Sequence, residues 1–228
     1  MSGSRGGVTW QLFERAAPSY EAWYSTARGR RVDRSERALI AWLLAPFRQA
    51  ALILDVGCGS GHFTRWLDGE RRRAVGLDRS PAMVRELRRL SAATPVMVGD
   101  ARRLPCSDGS VDVVLFVTTL EFLEDPEIAL REAVRIARLG VVVIALNRWS
   151  LGGLSRRWGR QSGRPLLSRA HDCSVASLRR MVVAVAGSRL QQLRWSSTLF
   201  PWPLSVVSAA VPVGDVIGIV ARLVPTAP

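Results

Sequence analysis

The chain has 228 residues, 48% of them hydrophobic, and a formal net charge of +13. That apolar content excludes a disordered polar chain and is enough for one α/β domain with a substantial core. All 32 basic residues are arginine and Asn147 is the single asparagine, a bias that GC-rich coding produces; the charge favours anionic partners without itself specifying nucleic acid.

Met1 to Gly7 is polar and glycine-rich, with no secretory pattern, and the first apolar residues alternate with Gln11, Glu14 and Arg15 as in an amphipathic helix. A helical lead-in over 1–48 is expected. Ala51 to Leu54 then reads as a buried strand that ends on Asp55, followed by glycines at every second position, Gly57, Gly59 and Gly61. Such a turn lets a ligand approach the main chain, and a helix over Phe63 to Leu67 would face it with free N–H groups. The dehydrogenase spacing G-x-G-x-x-G is not met, since His62 stands where its third glycine belongs. A pyrophosphate is therefore disfavoured, and Asp55 suits an ammonium group nearby.

Ala74 to Asp78 is a second short strand closed by an acid, about twenty residues past the glycines, where an open α/β sheet places a ribose acceptor. Val96 to Val98 leads to Gly99, Asp100 and Ala101, and an acid there can accept from an exocyclic amine. The next helix is punctuated by Asp125 as cap, Pro126 in its first turn and Gly140 as stop, after which Val141 to Leu146 forms a fifth strand. From Asn147 to Ala170 there are six arginines, among them Arg156 and Arg157, two tryptophans including Trp149, and no acid. This basic segment, 147–173, reads as a lid for an anionic acceptor, as a patch on an anionic membrane surface, or as a solvated flap. His171 beside Asp172 is a candidate general base, or a surface histidine next to the cap of a helix over Ser174 to Val185. Leu190 to Leu199 and Val216 to Leu223 read as the last two strands. The apolar run between them, broken by prolines, is too short to span a bilayer. The three cysteines, Cys58, Cys106 and Cys173, lack metal or redox spacing and point to a reducing, cytoplasmic setting. No metal is expected.

In order, DVGCGSG (55–61), GLDRSPAM (76–83), VGDARRLP (98–105), SDGSVDVVL (107–115) and LEFLEDPEIALREAVRIAR (120–138) resemble the class I S-adenosylmethionine-dependent methyltransferases. The resemblance is closest to the small-molecule branch that includes the ubiquinone and menaquinone biosynthesis enzymes, and 13–36 looks like that branch's helical lead-in. It implies an α/β Rossmann-like fold: a seven-stranded, mostly parallel sheet, helices on both faces, an antiparallel last strand and an N-terminal helical cap. The whole chain would be one domain, with the cofactor core at 49–146, the basic lid at 147–173 and the last helix and strands at 174–228. By the same resemblance Gly57, Cys58, Gly59 and Gly61 line the methionine half of S-adenosylmethionine, with Asp55 near its amino group. Asp78 would hold the ribose, Arg79 and Met83 would flank the adenine, Asp100 and Ala101 would read its edge, and Thr118 would close the pocket. Tyr20, Trp23, Tyr24 and the segment with Trp149, Arg156 and Arg157 would roof a small-molecule acceptor, in a monomer or homodimer. The family's Lys-Pro-Gly-Gly turn is missing before strand five. Alternatives are an RNA methyltransferase, disfavoured because Thr118-Thr119-Leu120-Glu121 replaces the Asn/Asp-Pro-Pro-aromatic motif of base-amine enzymes, and a non-catalytic cofactor-binding partner protein.

Overall fold

The structure, a computed structural model, describes residues 9–69, 72–150, 173–199 and 210–225. Its sheet comprises β1 (Leu52–Val56), β2 (Arg73–Asp78), β3 (Val96–Val98), β4 (Val111–Val117), β5 (Ala137–Leu146), β6 (Leu190–Thr198) and β7 (Val216–Leu223). The strand order is β3-β2-β1-β4-β5-β7-β6. The first five strands pair in parallel, and β7 lies antiparallel between β5 and β6, as expected for the inserted last strand.

Both faces of the central strands are buried, which is why β1, β4 and β5 read as continuous apolar runs and not as alternating ones. Successive residues nevertheless serve opposite cores. Ile53, Val113, Leu115, Val142 and Ile144 pack with Leu39, Ile40 and Leu43 of helix α2 (Ala27–Leu44). Leu54, Val114, Phe116, Val141 and Val143 pack on the other side with Leu130 of α5 (Pro126–Ile136) and Leu178 of α6 (Val175–Ala186). Helix α1 (Thr9–Tyr20), a 3-10 turn (Glu21–Ser25) and α2 form the N-terminal cap; α3 (His62–Leu67) and α4 (Pro81–Leu90) follow β1 and β2. Ser174 caps α6 through a reciprocal capping box with Ser177.

One boundary differs from the sequence expectation. Gly140 does not stop a helix: α5 ends at Ile136 and β5 starts at Ala137 with no turn between them. The irregularity is absorbed in the pairing with β4, where Val111 faces Ala137 and Val113 faces Gly140. Gly140 is needed there for space, because a Cβ would lie 2.3 Å from Cζ of Phe47 and 2.5 Å from the carbonyl oxygen of Ala221. Asp125 holds the N-cap position of α5 but makes no side-chain capping bond. At the other end of the junction, Arg138 donates to Asp112, whose second oxygen accepts the Ala51 and Leu52 N–H groups at 2.7 and 3.1 Å. The ion pair thus ties β5 and β4 to the start of β1. Among the described residues no helix is long and apolar enough to cross a membrane.

Candidate active site

The three predicted acids meet one cavity of about 700 Å³ at the carboxyl ends of β1, β2 and β3, under the N-terminal cap. Gly57, Gly59 and Gly61 all have positive φ, which the tight turn from β1 to α3 requires. Their missing side chains serve different ends. At Gly57 a Cβ would strike the Thr119 methyl at 2.2 Å, and at Gly61 it would strike Leu87 of α4 at 2.4 Å, so these two glycines allow close packing. At Gly59 the nearest atoms would be 3.9 Å away, from Met83 and Tyr20, so its backbone faces open space.

Asp55 is 2% exposed, and Thr64 Oγ1 donates to it at 2.6 Å. Burial pushes its carboxyl up to about 7, with the neighbouring Asp78 charge adding and the Thr64 bond opposing. Asp78 is the hub of the site. Its Oδ2 accepts the Gly59 N–H at 2.8 Å and its Oδ1 the Ser80 N–H at 2.8 Å. Burial still holds it above the usual carboxylate range. Asp100 is different: Arg102 donates through Nη2 at 2.8 Å and through its own N–H at 2.9 Å, and holds the acid below its ordinary value. Burial and the two nearby carboxylates raise the Cys58 thiol well above its ordinary range, which disfavours the thiolate; the residue lines the cavity wall.

Of the other predicted cofactor residues, Gly57, Cys58, Gly59, Arg79, Ala101 and Thr118 line the cavity. Arg79 lies 3.9 Å from Asp100 and above the Trp10 ring at 5.6 Å. Thr118 has φ of 51°, a strained conformation for a β-branched residue, fixed by its N–H donating to Ile144 at 2.8 Å. Two placements depart from expectation. Met83 is fully buried one layer behind the wall, with its sulfur under Gly59, and Gly61 packs on α4. Tyr20, Trp23 and Tyr24 roof the cavity. Trp149 is 58% exposed, with the Arg148 guanidinium 5.2 Å above its ring, and is not part of the wall. Arg156, Arg157 and His171 lie outside the described residues.

His62 also lines the cavity, stacked flat on Tyr24 at 3.6 Å. Both ring nitrogens face carboxylates, Nε2 to Asp33 at 2.7 Å and Nδ1 to Glu21 at 3.3 Å, which leaves neither to serve an acceptor as a base. Sequence reasoning missed the cap carboxylates and the aromatic residues Trp10, Phe13 and Phe122 on the wall. The edge-on contact of Phe13 with Phe122, at 4.9 Å, joins α1 to the turn after β4 and is not encoded in any local pattern.

A parallel sheet with this strand order, an inserted antiparallel β7 and acids gathered around a glycine turn defines a Rossmann-like methyltransferase class. Residues 54–145 match the family described as a methyltransferase domain, and the fold is that of the S-adenosylmethionine-dependent methyltransferases. It is 34% identical over 155 residues to a malonyl-[acyl-carrier protein] O-methyltransferase of Pectobacterium atrosepticum, covering 67% of this chain and 58% of that protein. It is 36% identical over 144 residues to the demethylmenaquinone methyltransferase of a Roseiflexus species, covering 60% of this chain and 58% of the relative. The chain thus spans less than two thirds of the length of these relatives. A solved structure of a Thermotoga maritima S-adenosylmethionine-dependent methyltransferase, described as a possible histamine N-methyltransferase, superposes with a TM-score of 0.76 at 26% identity, covering 93% of this chain and 99% of that one.

Proposed function

We propose that the chain transfers a methyl group from S-adenosylmethionine to a small-molecule acceptor, as one methyltransferase domain with the cap at 1–48. The observation that carries this reading is the set of three strand-end carboxylates converging with the open Gly59 backbone on one cavity. The residues fit the cofactor on their own chemistry. A buried carboxyl raised to about 7, as at Asp55, gains most from an ammonium partner, which restores its ionised form. Asp78 offers a fixed, half-buried acceptor for a pair of hydroxyls, and Asp100 with the Ala101 N–H offers the acceptor and donor that an adenine edge needs.

The bound sulfonium supplies an electrophilic methyl group. The chain's part is then binding, orientation and exclusion of water. Tyr20, Trp23 and Tyr24 cover the cleft from the cap side, and Thr118, held in its strained backbone, shapes the wall after β4. Alignment of donor and acceptor can supply much of the acceleration of such a displacement. Among the described residues the cavity offers no free histidine nitrogen for proton removal. Acceptors of relatives range from an acyl-carrier-bound malonyl group to a menaquinone precursor, and the roof over the cleft is where such choices are made. The test is incubation of the purified chain with labelled S-adenosylmethionine and a metabolite extract, with mass spectrometry of the labelled product. Label found only in RNA would turn the reading to a nucleic-acid enzyme, and cofactor binding with no labelled product would turn it to a binding protein.

A further inference from the structure

Glu14 and Glu21 stand seven residues apart in the cap, nearly two helical turns, so their side chains leave one face of the cap about 10 Å apart. Each reaches a different β–α turn of the site. Glu21 Oε1 accepts from Ser60 Oγ at 2.7 Å and from Arg65 at 2.8 Å, and its Oε2 faces His62 Nδ1 at 3.3 Å. Ser60 is fully buried between Gly59 and Gly61. Glu14 accepts from Ser80 Oγ and from the Ala82 N–H at 3.2 Å, with Arg85 at 3.6 Å. Ser80 in turn follows Asp78, donates its N–H to it, and accepts the Met83 N–H at 3.1 Å.

The two turns are therefore joined twice. Below, Asp78 gives one oxygen to the Gly59 N–H and the other to the Ser80 N–H; above, each turn's serine is held by one cap glutamate. We propose that Glu14 and Glu21 are positioning residues which, through Ser80 and Ser60, hold the two turns around Asp78 in the geometry that receives the ribose end of an adenosyl cofactor. The inference rests on the cofactor reading given above. Burial raises Glu21, but the His62 and Ser60 bonds and the Arg65 charge outweigh it and hold the acid at about 2, so the Glu21 half of the clasp works as charge-assisted hydrogen bonds through the physiological range. Cap docking and cofactor binding become one event, because the same serines that seat the cap also set the amides that aim Asp78.

The test uses calorimetric binding of S-adenosylhomocysteine to the full chain, with dissociation rates from stopped-flow fluorescence. Glu14→Gln and Glu21→Gln are each expected to weaken affinity about tenfold, mainly through faster dissociation, the scale of one charge-assisted bond. Ser60→Ala and Ser80→Ala, which leave the cap charges intact, are expected to reproduce the loss and keep the question open to a decision should a glutamate variant fail to fold. In an Asp78→Asn background the same changes should matter less than about twofold, because coupled residues are not additive. Unchanged affinity in the folded variants, or an undiminished tenfold loss in the Asp78→Asn background, would overturn the inference. A parent chain that binds no S-adenosylhomocysteine would instead refute the cofactor reading, and the inference with it.

Discussion

Replacing Asp55 by Asn should make the unliganded protein more stable, and more so the higher the pH. The carboxyl is buried, and its value moves from 3.8 to about 7 on folding. The ionised form is thus disfavoured in the native state, and stability is greatest below the unfolded value, falls as pH rises from about 4 to 7, and is level above that. At about 1.4 kcal/mol per tenfold change in acidity, the penalty is roughly 2 kcal/mol at pH 5 and about 4 kcal/mol at pH 8. Asn keeps an acceptor for the Thr64 hydroxyl, which now reaches Asp55 at 2.6 Å, and carries no charge to bury. The advantage of the variant over the parent should therefore grow by about 2–3 kcal/mol between pH 5 and pH 8, or roughly 5–10 °C in melting midpoint for a chain of this size. Differential scanning fluorimetry without cofactor, across that range, measures it. An equal midpoint gap at pH 5 and pH 8, or a variant less stable than the parent at pH 8, would refute the burial argument. With S-adenosylmethionine present the order should reverse above pH 7, because only the carboxylate can pair with the ammonium group.

Asp78→Ala should weaken S-adenosylhomocysteine binding by on the order of 1–3 kcal/mol, read by calorimetry, because it leaves the Gly59 and Ser80 N–H groups as well as the ligand without an acceptor. Asp112→Ala should cost about 2–4 kcal/mol in chemical denaturation, since it strands two strand-start amides and the Arg138 guanidinium at once. Burial raises Asp112, but its bonds from Arg138 and from the Ala51 and Leu52 amides prevail and lower it; its contribution is present above the ordinary value of 3.8 and lost as pH falls through the lowered one. Thr118→Gly should relieve the positive φ and raise the melting midpoint by the equivalent of about 1 kcal/mol, with weaker acceptor discrimination as the accompanying change in product assays.

The parts of the fold that local chemistry dictates were legible. Leu52–Val56, Arg73–Asp78 and Val96–Val98 are short apolar runs beside acids; burial on both faces leaves the central Leu52–Val56 little alternative to a parallel strand, while Val96–Val98 is a half-buried edge strand. The glycine turn was legible for the same reason, since three positive φ values in five residues demand glycine. What escaped was set by contacts distant in sequence. Gly61 looked like part of the ligand cradle, yet Leu87 explains its missing side chain; Gly140 looked like a helix stop, yet Phe47 and Ala221 explain it. A glycine's reason for being there belongs to whatever comes near it, and that partner can be 80 residues away. Glu14 and Glu21 carried a usable signal, a seven-residue spacing on one face, but their serine partners lie 66 and 39 positions further along, respectively.

The direct passage of α5 into β5 sets a rule for length variation in this chain. With no spacer between Ile136 and Ala137, a residue added there would rotate the helix by about 100° against the strand, or carry every β5 side chain to the opposite layer. The exposed turn at Ser107–Ser110 carries no helix-to-strand phase, and what holds it is local: Asp108 accepts from Arg135 at 2.7 Å and the Gly109 N–H donates to the Arg135 carbonyl at 3.1 Å. Natural or engineered variants should therefore keep a fixed count at the junction, whereas a change of length in the turn costs only those bonds.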